Sequence, residues 1–115
     1  MPKPRPPKPP KQLGQAGKRF WRSTVAEYEF AGDPPSLVLL EQAAGTIDVI
    51  AALEAIVKEK GVVARTAAGN QKASPAMAAL VANRILLSRL LRELRFTDAP
   101  EEFRAPRPTG AIQRR

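Results

Sequence analysis

The side chains best suited to bind another molecule are cations, and they gather near the start of the chain. The first 22 residues carry seven lysines and arginines and no acid, whereas the other 93 carry twelve basic and eleven acidic residues. Such cations neutralise the phosphates of a nucleic acid and release its condensed counterions, which makes binding salt-dependent and largely independent of base sequence. We therefore predict a phosphate-binding segment formed by Lys3, Arg5, Lys8, Lys11, Lys18, Arg19 and Arg22.

The backbone that carries the first of these cations is rich in proline. Six of the first ten residues are prolines, which lack the N–H donor and fix φ, so this stretch fits neither a helix nor a central strand. Residues 1–13 are therefore predicted to be a disordered basic arm that is extended, solvated and polyproline-like. Two other interpretations stay open: a solubilising tail, or a ligand for an SH3-like domain through the PxxP pattern of Pro4–Pro7.

A second group of cations follows a helical repeat near the end of the chain. Arg84, Ser88, Arg92 and Arg95 are separated by four, four and three residues, so they share one face of a helix. In a ring of subunits this stripe could line a channel or pair with the acids of a neighbour. The simpler interpretation, which we favour, is the solvated face of an amphipathic helix.

The residue types needed for most catalytic and metal sites are missing. The chain contains no cysteine and no histidine, which excludes disulfides, zinc sites built from these ligands and histidine acid–base chemistry. It also lacks the G-x-x-x-x-G-K-[ST] phosphate loop. Glu41, Asp48 and Glu54 fall on one predicted helix, and a solvated helix face explains them. We therefore expect no enzymatic activity and no bound metal or cofactor.

The elements that must position the cations begin with a short helix. Trp21, Val25, Tyr28 and Gly32 are separated by four, three and four residues, the repeat of a helix with one buried stripe. The pattern predicts a helix over residues 18–30. Aromatic rings such as those of Trp21 and Tyr28 can stack on bases, but their place in the stripe favours packing in the core.

Capping signals delimit a long second helix over residues 34–60. Asp33 lies at its N-cap position with Pro34 as the first helical residue, and Gly61 lies at its C-cap. Apolar residues cover more than one side of this helix, so we expect contacts on several sides.

A small hairpin and a third helix complete the predicted elements. Residues 62–73 contain two short runs around Ala-Ala-Gly-Asn, which is typical of a β-hairpin. Ser74 as N-cap and Pro75 as first residue then open a helix over residues 75–94. The long helix and the last helix are expected to lie antiparallel, with the hairpin as their connector.

The predicted fold is mainly α, with one domain between two loose ends. Residues 14–96 are expected to form a helical oligomerisation domain, between the arm of residues 1–13 and a flexible C-terminal tail of residues 97–115. A core of roughly 75 residues is marginal by itself, so oligomerisation is expected to complete it. No run approaches the roughly 18 apolar residues of a membrane span, and the start lacks the apolar region of a secretory signal. We therefore expect a cytoplasmic protein with no membrane partner.

Several short motifs together resemble a known family. In order along the chain they are Lys18-x-x-Trp21, Asp33-x-x-x-Leu37, Gly61-Val62-Val63, Gly69-x-x-Lys72-x-Ser74-Pro75 and a closing helix rich in leucine and arginine. With these features, residues 13–96 resemble the small terminase subunits of tailed double-stranded-DNA bacteriophages. Ser74 stands where that family usually has Asn or His, and the segment Arg95–Pro100 stands where it usually continues Gly-Leu-Thr-Pro.

The resemblance implies a packaging factor without enzymatic activity of its own. Such subunits form homo-oligomeric rings in the host cytoplasm, bind the double-stranded viral genome near its packaging site, and deliver it to a large terminase subunit that holds the ATPase and the nuclease. Under this interpretation the basic segment supplies repeated weak phosphate contacts around the ring. The tail after Phe96 would offer Phe103 and its flanking charges to the large subunit.

Two alternatives from other functional classes remain. One is a small basic nucleoid- or ribosome-associated protein, which would use the same cations to bind nucleic acid as a monomer or dimer. The other is an adaptor that binds no DNA and presents its PxxP arm to a protein. Removal of residues 1–22 distinguishes these functions. Loss of DNA retention would support the packaging factor or the nucleoid-type protein, and unchanged retention would contradict both.

Overall fold

Three helices packed on one another form the body of the chain. The structure, a computed structural model, describes residues 5–30, 33–65, 69, 71–94, 96–97 and 112–114. In these parts the chain is mainly α, and no strand is longer than three residues. The elements in order are α1 Gln15–Glu27, β1 Tyr28–Glu29, α2 Pro34–Lys60, β2 Val63–Arg65, β3 Gln71–Ala73, α3 Pro75–Leu94, β4 Phe96–Thr97 and β5 Ile112–Arg114.

The boundaries of α2 are the predicted ones, and local hydrogen bonds set them. The carboxylate of Asp33 accepts from the backbone N–H of Ser36 at 3.3 Å and from its hydroxyl at 2.7 Å. Pro34 begins the helix, where the N–H that it lacks would have no partner. At the other end Gly61 has a φ of 86° and donates its N–H to the carbonyl of Val57 at 2.7 Å. Glycine reaches this left-handed conformation without a steric penalty, so it ends the helix.

The predicted hairpin and third helix are also confirmed. Strands β2 and β3 pair antiparallel, with Val63 opposite Ala73. The hydroxyl of Ser74 accepts from the N–H of Met77 at 3.1 Å and so caps α3. Helices α2 and α3 lie antiparallel: Arg84 in the middle of α3 pairs with Glu54 in the second half of α2, while the end of α3 and the first half of α2 share one apolar cluster.

The first helix differs from the prediction at both ends. It runs over Gln15–Glu27, three residues earlier than the predicted 18–30, and places Gly17 inside the helix. It stops at Glu27 because Tyr28 and Glu29 leave the helix to pair with β5. Phe30, predicted to be helical, follows this short strand and is 1 % exposed.

The apolar core lies where the three helices meet. It contains side chains from each helix, together with one from the segment before α1, one from just after β1 and one from β5. Its buried members are Leu13, Trp21, Val25, Phe30, Leu40, Ala43, Ala44, Leu90, Leu94 and Ile112. Trp21 therefore packs in the core, as its helical spacing predicts, and Tyr28 packs partly buried against it.

Part of the C-terminal tail returns to the body of the protein. Residues 97–115 were expected to be flexible, but β5 is the central strand of a three-stranded sheet, antiparallel to β1 and parallel to β4. Ile112 is fully buried, and Arg114 Nη2 lies 2.6 Å from Glu27 Oε1. Burial of one isoleucine and backbone pairing on both sides hold this end of the chain in place. Residues 98–111 and 115 of the predicted tail lie outside the described residues.

The outer side of α2 is apolar as well. Val38, Val49 and Ile56 are 55, 45 and 40 % exposed, and their spacing places them along one side of the helix, away from Leu40 and the core. By length and composition α2 is also the one helix in the described parts that could cross a membrane. Core helices of globular proteins meet the same criterion, and α2 packs against both other helices along its inner side.

Candidate nucleic-acid interface

Helix α1 carries three of the predicted cations on one face. Lys18, Arg19 and Arg22, with Gln15 and Ser23, line an open depression of about 620 Å³. Their spacing follows the helical repeat, so they share one side of α1, with Lys18 at its edge nearest the buried residues Trp21 and Val25 and Arg19 farthest from them. The arginines are exposed and Lys18 is half-buried. This face can therefore bring three positive charges to one anionic surface.

The segment before α1, residues 5–13, is here called the strap. Its cations Arg5, Lys8 and Lys11 are exposed, whereas Pro7 and the two prolines after Lys8 are half-buried. The indole Nε1–H of Trp21 donates to the carbonyl of Pro7 at 2.9 Å. The strap therefore runs back along α1. The sequence predicts a solvated arm here, and the structure differs because the core tryptophan has a polar edge that needs an acceptor.

The end of the strap is fixed to the body at two further points. Leu13 is 7 % exposed in the apolar cluster, and its N–H donates to the carbonyl of Pro10 at 3.3 Å. The side-chain amide of Gln12 donates to Glu41 Oε1 on α2 at 2.7 Å. Disorder of residues 1–13 as a whole stays a prediction, since Lys3 and the other residues of 1–4 lie outside the described residues.

Asp48 of α2 fixes the start of α1. Gly14 is the N-cap and has no side chain to supply a cap. Asp48 Oδ2 accepts from the N–H of Gly14 at 2.6 Å, and its Oδ1 accepts from the N–H of Gly17 at 2.8 Å. One carboxylate thus satisfies two of the unpaired donors of the first turn and places a negative charge at the positive end of the helix dipole.

The three acids of α2 have separate structural partners. Glu41 binds the strap, Asp48 caps α1, and Glu54 Oε2 lies 3.7 Å from Arg84 Nη2. The prediction that these acids only form a solvated helix face is therefore incomplete. The sequence offered one signal for Asp48, which is a helix start at Gly14-x-x-Gly17 with no capping side chain of its own.

The basic stripe of α3 is mixed with apolar side chains. Arg84, Ser88 and Arg92 line a second open depression of about 360 Å³, and Arg95 lies outside the described residues. The same depression is also lined by Val81, Ile85 and Arg89. Val81 and Ile85 are 45 and 52 % exposed. Apolar groups between arginines fit a protein surface better than a phosphate backbone.

Among the described residues, no group of three acidic side chains is arranged to hold a metal ion. The two depressions described above are open and are lined by cationic side chains. The chemistry that this arrangement offers is anion binding by arginine and lysine.

The chain was compared with known families, curated proteins and solved structures. No family model, curated protein or solved structure matches the chain.

Proposed function

We propose that this chain is a viral DNA-packaging factor of the small terminase type, which binds double-stranded phage DNA and recruits the large terminase ATPase–nuclease in the host cytoplasm. The observation that carries the proposal is the position of the cations. Six of the seven lie in the described strap and α1, with no acid between residues 5 and 22. The motifs shared with small terminase subunits support the same function.

The charge distribution suits a polyanion rather than a small ligand. The depression on α1 is open and has no polar side chain that is deeply buried, so it lacks the enclosure of a small-molecule site. The exposed cations of the strap extend the positive surface beyond it. A long duplex offers phosphates to all of these groups at once, and each contact contributes by counterion release.

Self-association is the second part of the proposal. The outer stripe of α2, formed by Val38, Val49 and Ile56, is open in the single chain. Exposure of these apolar side chains costs free energy, which a neighbouring copy would recover by covering them. A closed ring of copies would also repeat the basic surface, so that weak phosphate contacts add up to useful avidity.

The large terminase subunit is the proposed protein partner. Phe103 and its flanking charges, the proposed docking element, lie outside the described residues. The α3 stripe, with its arginines and exposed Val81 and Ile85, is a further candidate for contact with a neighbouring copy.

The first experiment is the native mass of the full chain by light scattering on a size-exclusion column, at moderate salt and without DNA. A mass well above that of two chains supports the proposal, and a sharp monomer or dimer contradicts it. The assembled protein is then tested for retention of duplex DNA and for stimulation of a large-subunit ATPase.

A nucleoid- or ribosome-associated protein is the alternative that shares the cations. It would retain duplex DNA through the same surface but would stay a monomer or dimer and would not stimulate the ATPase. The PxxP adaptor differs in the opposite way, because it would bind a protein and show no retention of DNA that depends on residues 1–22.

A further inference from the structure

We infer that Trp21 is a positioning residue for DNA binding: it holds the strap against α1, so that the cations of both segments form one preorganised anion-binding surface. The inference rests on the proposed DNA binding. It goes beyond that proposal because a disordered arm and a docked strap carry the same charges and differ only in whether those charges have a fixed place.

The strap reaches α1 at the contact between Pro7 and Trp21. Gly14 lies midway between them in sequence, seven residues from each. Over seven residues α1 rises by roughly 10 Å, whereas a polyproline segment of the same length would span roughly 22 Å. The strap absorbs the difference in a turn over Lys11 and Gln12, closed by the hydrogen bond from Leu13 to Pro10. It therefore returns along the helix with its carbonyl at Pro7 facing the indole.

The indole hydrogen bond is a strong constraint because of where it lies. Trp21 is 4 % exposed, and a buried indole N–H that loses its acceptor carries the full cost of desolvation. The carbonyl of Pro7 is the acceptor that the structure provides. Release of the strap would thus remove the partner of Trp21 as well as the half-buried proline contacts.

Proline reduces the conformational entropy that the strap loses when it docks. Its fixed φ limits the conformations of the free segment, so little freedom is lost when the strap docks. The same segment in a disordered arm would have to be ordered on the DNA, at a cost subtracted from the binding free energy. When the strap is already docked, this ordering takes place during folding and does not reduce the binding free energy.

The docked strap places its cations next to those of α1. Arg5 and Lys8 flank Pro7, and Pro7 contacts Trp21, the neighbour of Arg22 in α1. Lys11 lies in the turn near the start of the helix, where Lys18 follows one turn later. The strap lies on the Trp21 side of α1, which adjoins the side that carries Lys18 and Arg22, so a duplex that lies over this edge of the helix can reach charges of both segments.

The test compares variants that keep every charge. Trp21→Phe keeps an aromatic ring in the core but removes the N–H donor together with part of the ring volume, so thermal denaturation first checks that the variant is folded. We expect it to weaken binding of a labelled duplex about threefold to tenfold, the range that one lost hydrogen bond of this type corresponds to. The slope of log affinity against log salt should stay unchanged, because the number of phosphate contacts is the same.

A second variant leaves the core intact and loosens the strap itself. The triple change Pro7→Gly, Pro9→Gly and Pro10→Gly retains all cations but enlarges the freedom of the unbound segment. It should weaken binding in the same direction with the same salt slope. Arg22→Gln is the contrasting control, since loss of one phosphate contact should lower the magnitude of the slope by about 0.9.

A measurement without DNA tests the strap alone. Trp21 is the one tryptophan of the chain, so its fluorescence reports only this site. Deletion of residues 1–9 should shift the emission to longer wavelength, because the indole loses its acceptor and its cover.

The outcomes separate the inference from the function on which it rests. If the wild-type chain fails to bind duplex DNA, the proposed function and the inference both fall. If it binds, but neither Trp21→Phe nor the glycine variant changes the affinity, only the inference is overturned. An emission spectrum unaffected by the deletion would overturn it as well.

Discussion

Asp48 accepts a hydrogen bond from the backbone N–H of Gly17 at 2.8 Å, which joins the middle of α2 to the first turn of α1. Its second oxygen accepts from Gly14 at 2.6 Å. In an ordinary capping box two side chains of the same helix share this task. Here a single carboxylate of another helix does so, and it thereby fixes the helix that carries Lys18, Arg19 and Arg22.

The close approach at Gly17 leads to a first prediction. A Cβ on this residue would overlap Asp48 Oδ2 and lie 2.6 Å from the backbone oxygen of Ala44. We expect Gly17→Ala to lower the free energy of unfolding by about 1–3 kcal/mol, as overpacking does, despite the better helix propensity of alanine. Urea denaturation followed by circular dichroism measures it.

Gly45→Ala is the matched control for this change. Gly45 lies inside α2, and an added Cβ meets nothing within 4 Å, so the change should stabilise the chain by about 0.5–1 kcal/mol. Both variants are compared at one chain concentration, because self-association would shift apparent stability. Equal stability of Gly17→Ala and the wild type would show that the two helices do not approach as closely as the structure has them.

Removal of the cap itself gives a second prediction. Asp48→Ala leaves the N–H groups of Gly14 and Gly17 without their acceptor and removes a charge that favours the helix dipole. The expected loss is about 1–2 kcal/mol in the free energy of unfolding, measured by the same denaturation. Glu59→Ala, an exposed acid in the last turn of α2, should stay within about 0.5 kcal/mol of the wild type. A similar loss in both variants would mean that net charge, and not the cap, is responsible.

Helix boundaries set by nearby residues were predictable from the sequence, and those set by distant residues were not. Asp33, Gly61 and Ser74 act within four residues of their own position, so α2 and α3 could be delimited in advance. The start of α1 depends on Asp48, which lies 34 residues from Gly14. A glycine at the N-cap shows that the acceptor must come from elsewhere, but it does not identify the residue that supplies it.

The strap and the C-terminal strand were missed for related reasons. Proline content predicts the shape of a backbone but not the surface on which it docks, and the partner here is one indole N–H. Strand β5 has three residues between two strands of two, too short for an alternating pattern to show. The cations themselves were found from the sequence, because a cluster of charge without acids is visible in composition alone.

The C-terminal strand gives a third prediction. Ile112 is fully buried in the apolar cluster, and its strand lies between β1 and β4. Ile112→Ala should destabilise the chain by about 2–5 kcal/mol in thermal or urea denaturation. Arg114→Gln, which removes the half-exposed ion pair with Glu27, should cost no more than about 1 kcal/mol. An alanine variant as stable as the wild type would show that the tail is loose after all.

The outer stripe of α2 gives a fourth prediction. Val49→Glu and Ile56→Glu each place a charge where we propose that a neighbouring copy packs, and burial of an unpaired charge is costly. We expect either change to reduce the native mass measured by light scattering. Val62→Glu introduces the same group at a 53 % exposed position beyond the helix and should leave the mass unchanged. A wild-type mass in all three variants would place the contact between copies elsewhere.

The two basic surfaces are distinguished by a fifth prediction. Arg22 on α1 faces an open cationic depression, whereas Arg92 on α3 shares its depression with Val81 and Ile85. We expect Arg22→Gln to lower the magnitude of the salt slope for duplex binding by about 0.9 and Arg92→Gln to leave it unchanged. Fluorescence anisotropy with a labelled duplex over a series of salt concentrations measures both.

We expect different salt slopes for the two variants because the side chains around the two arginines differ. Apolar side chains beside Arg92 gain nothing from a hydrated phosphate backbone, but they would be covered by a protein neighbour. Arg84 in the same stripe already lies 3.7 Å from Glu54, which offsets part of its charge. A slope reduced by Arg92→Gln as much as by Arg22→Gln would instead assign DNA contacts to α3, as expected of a stripe that lines the channel of a ring.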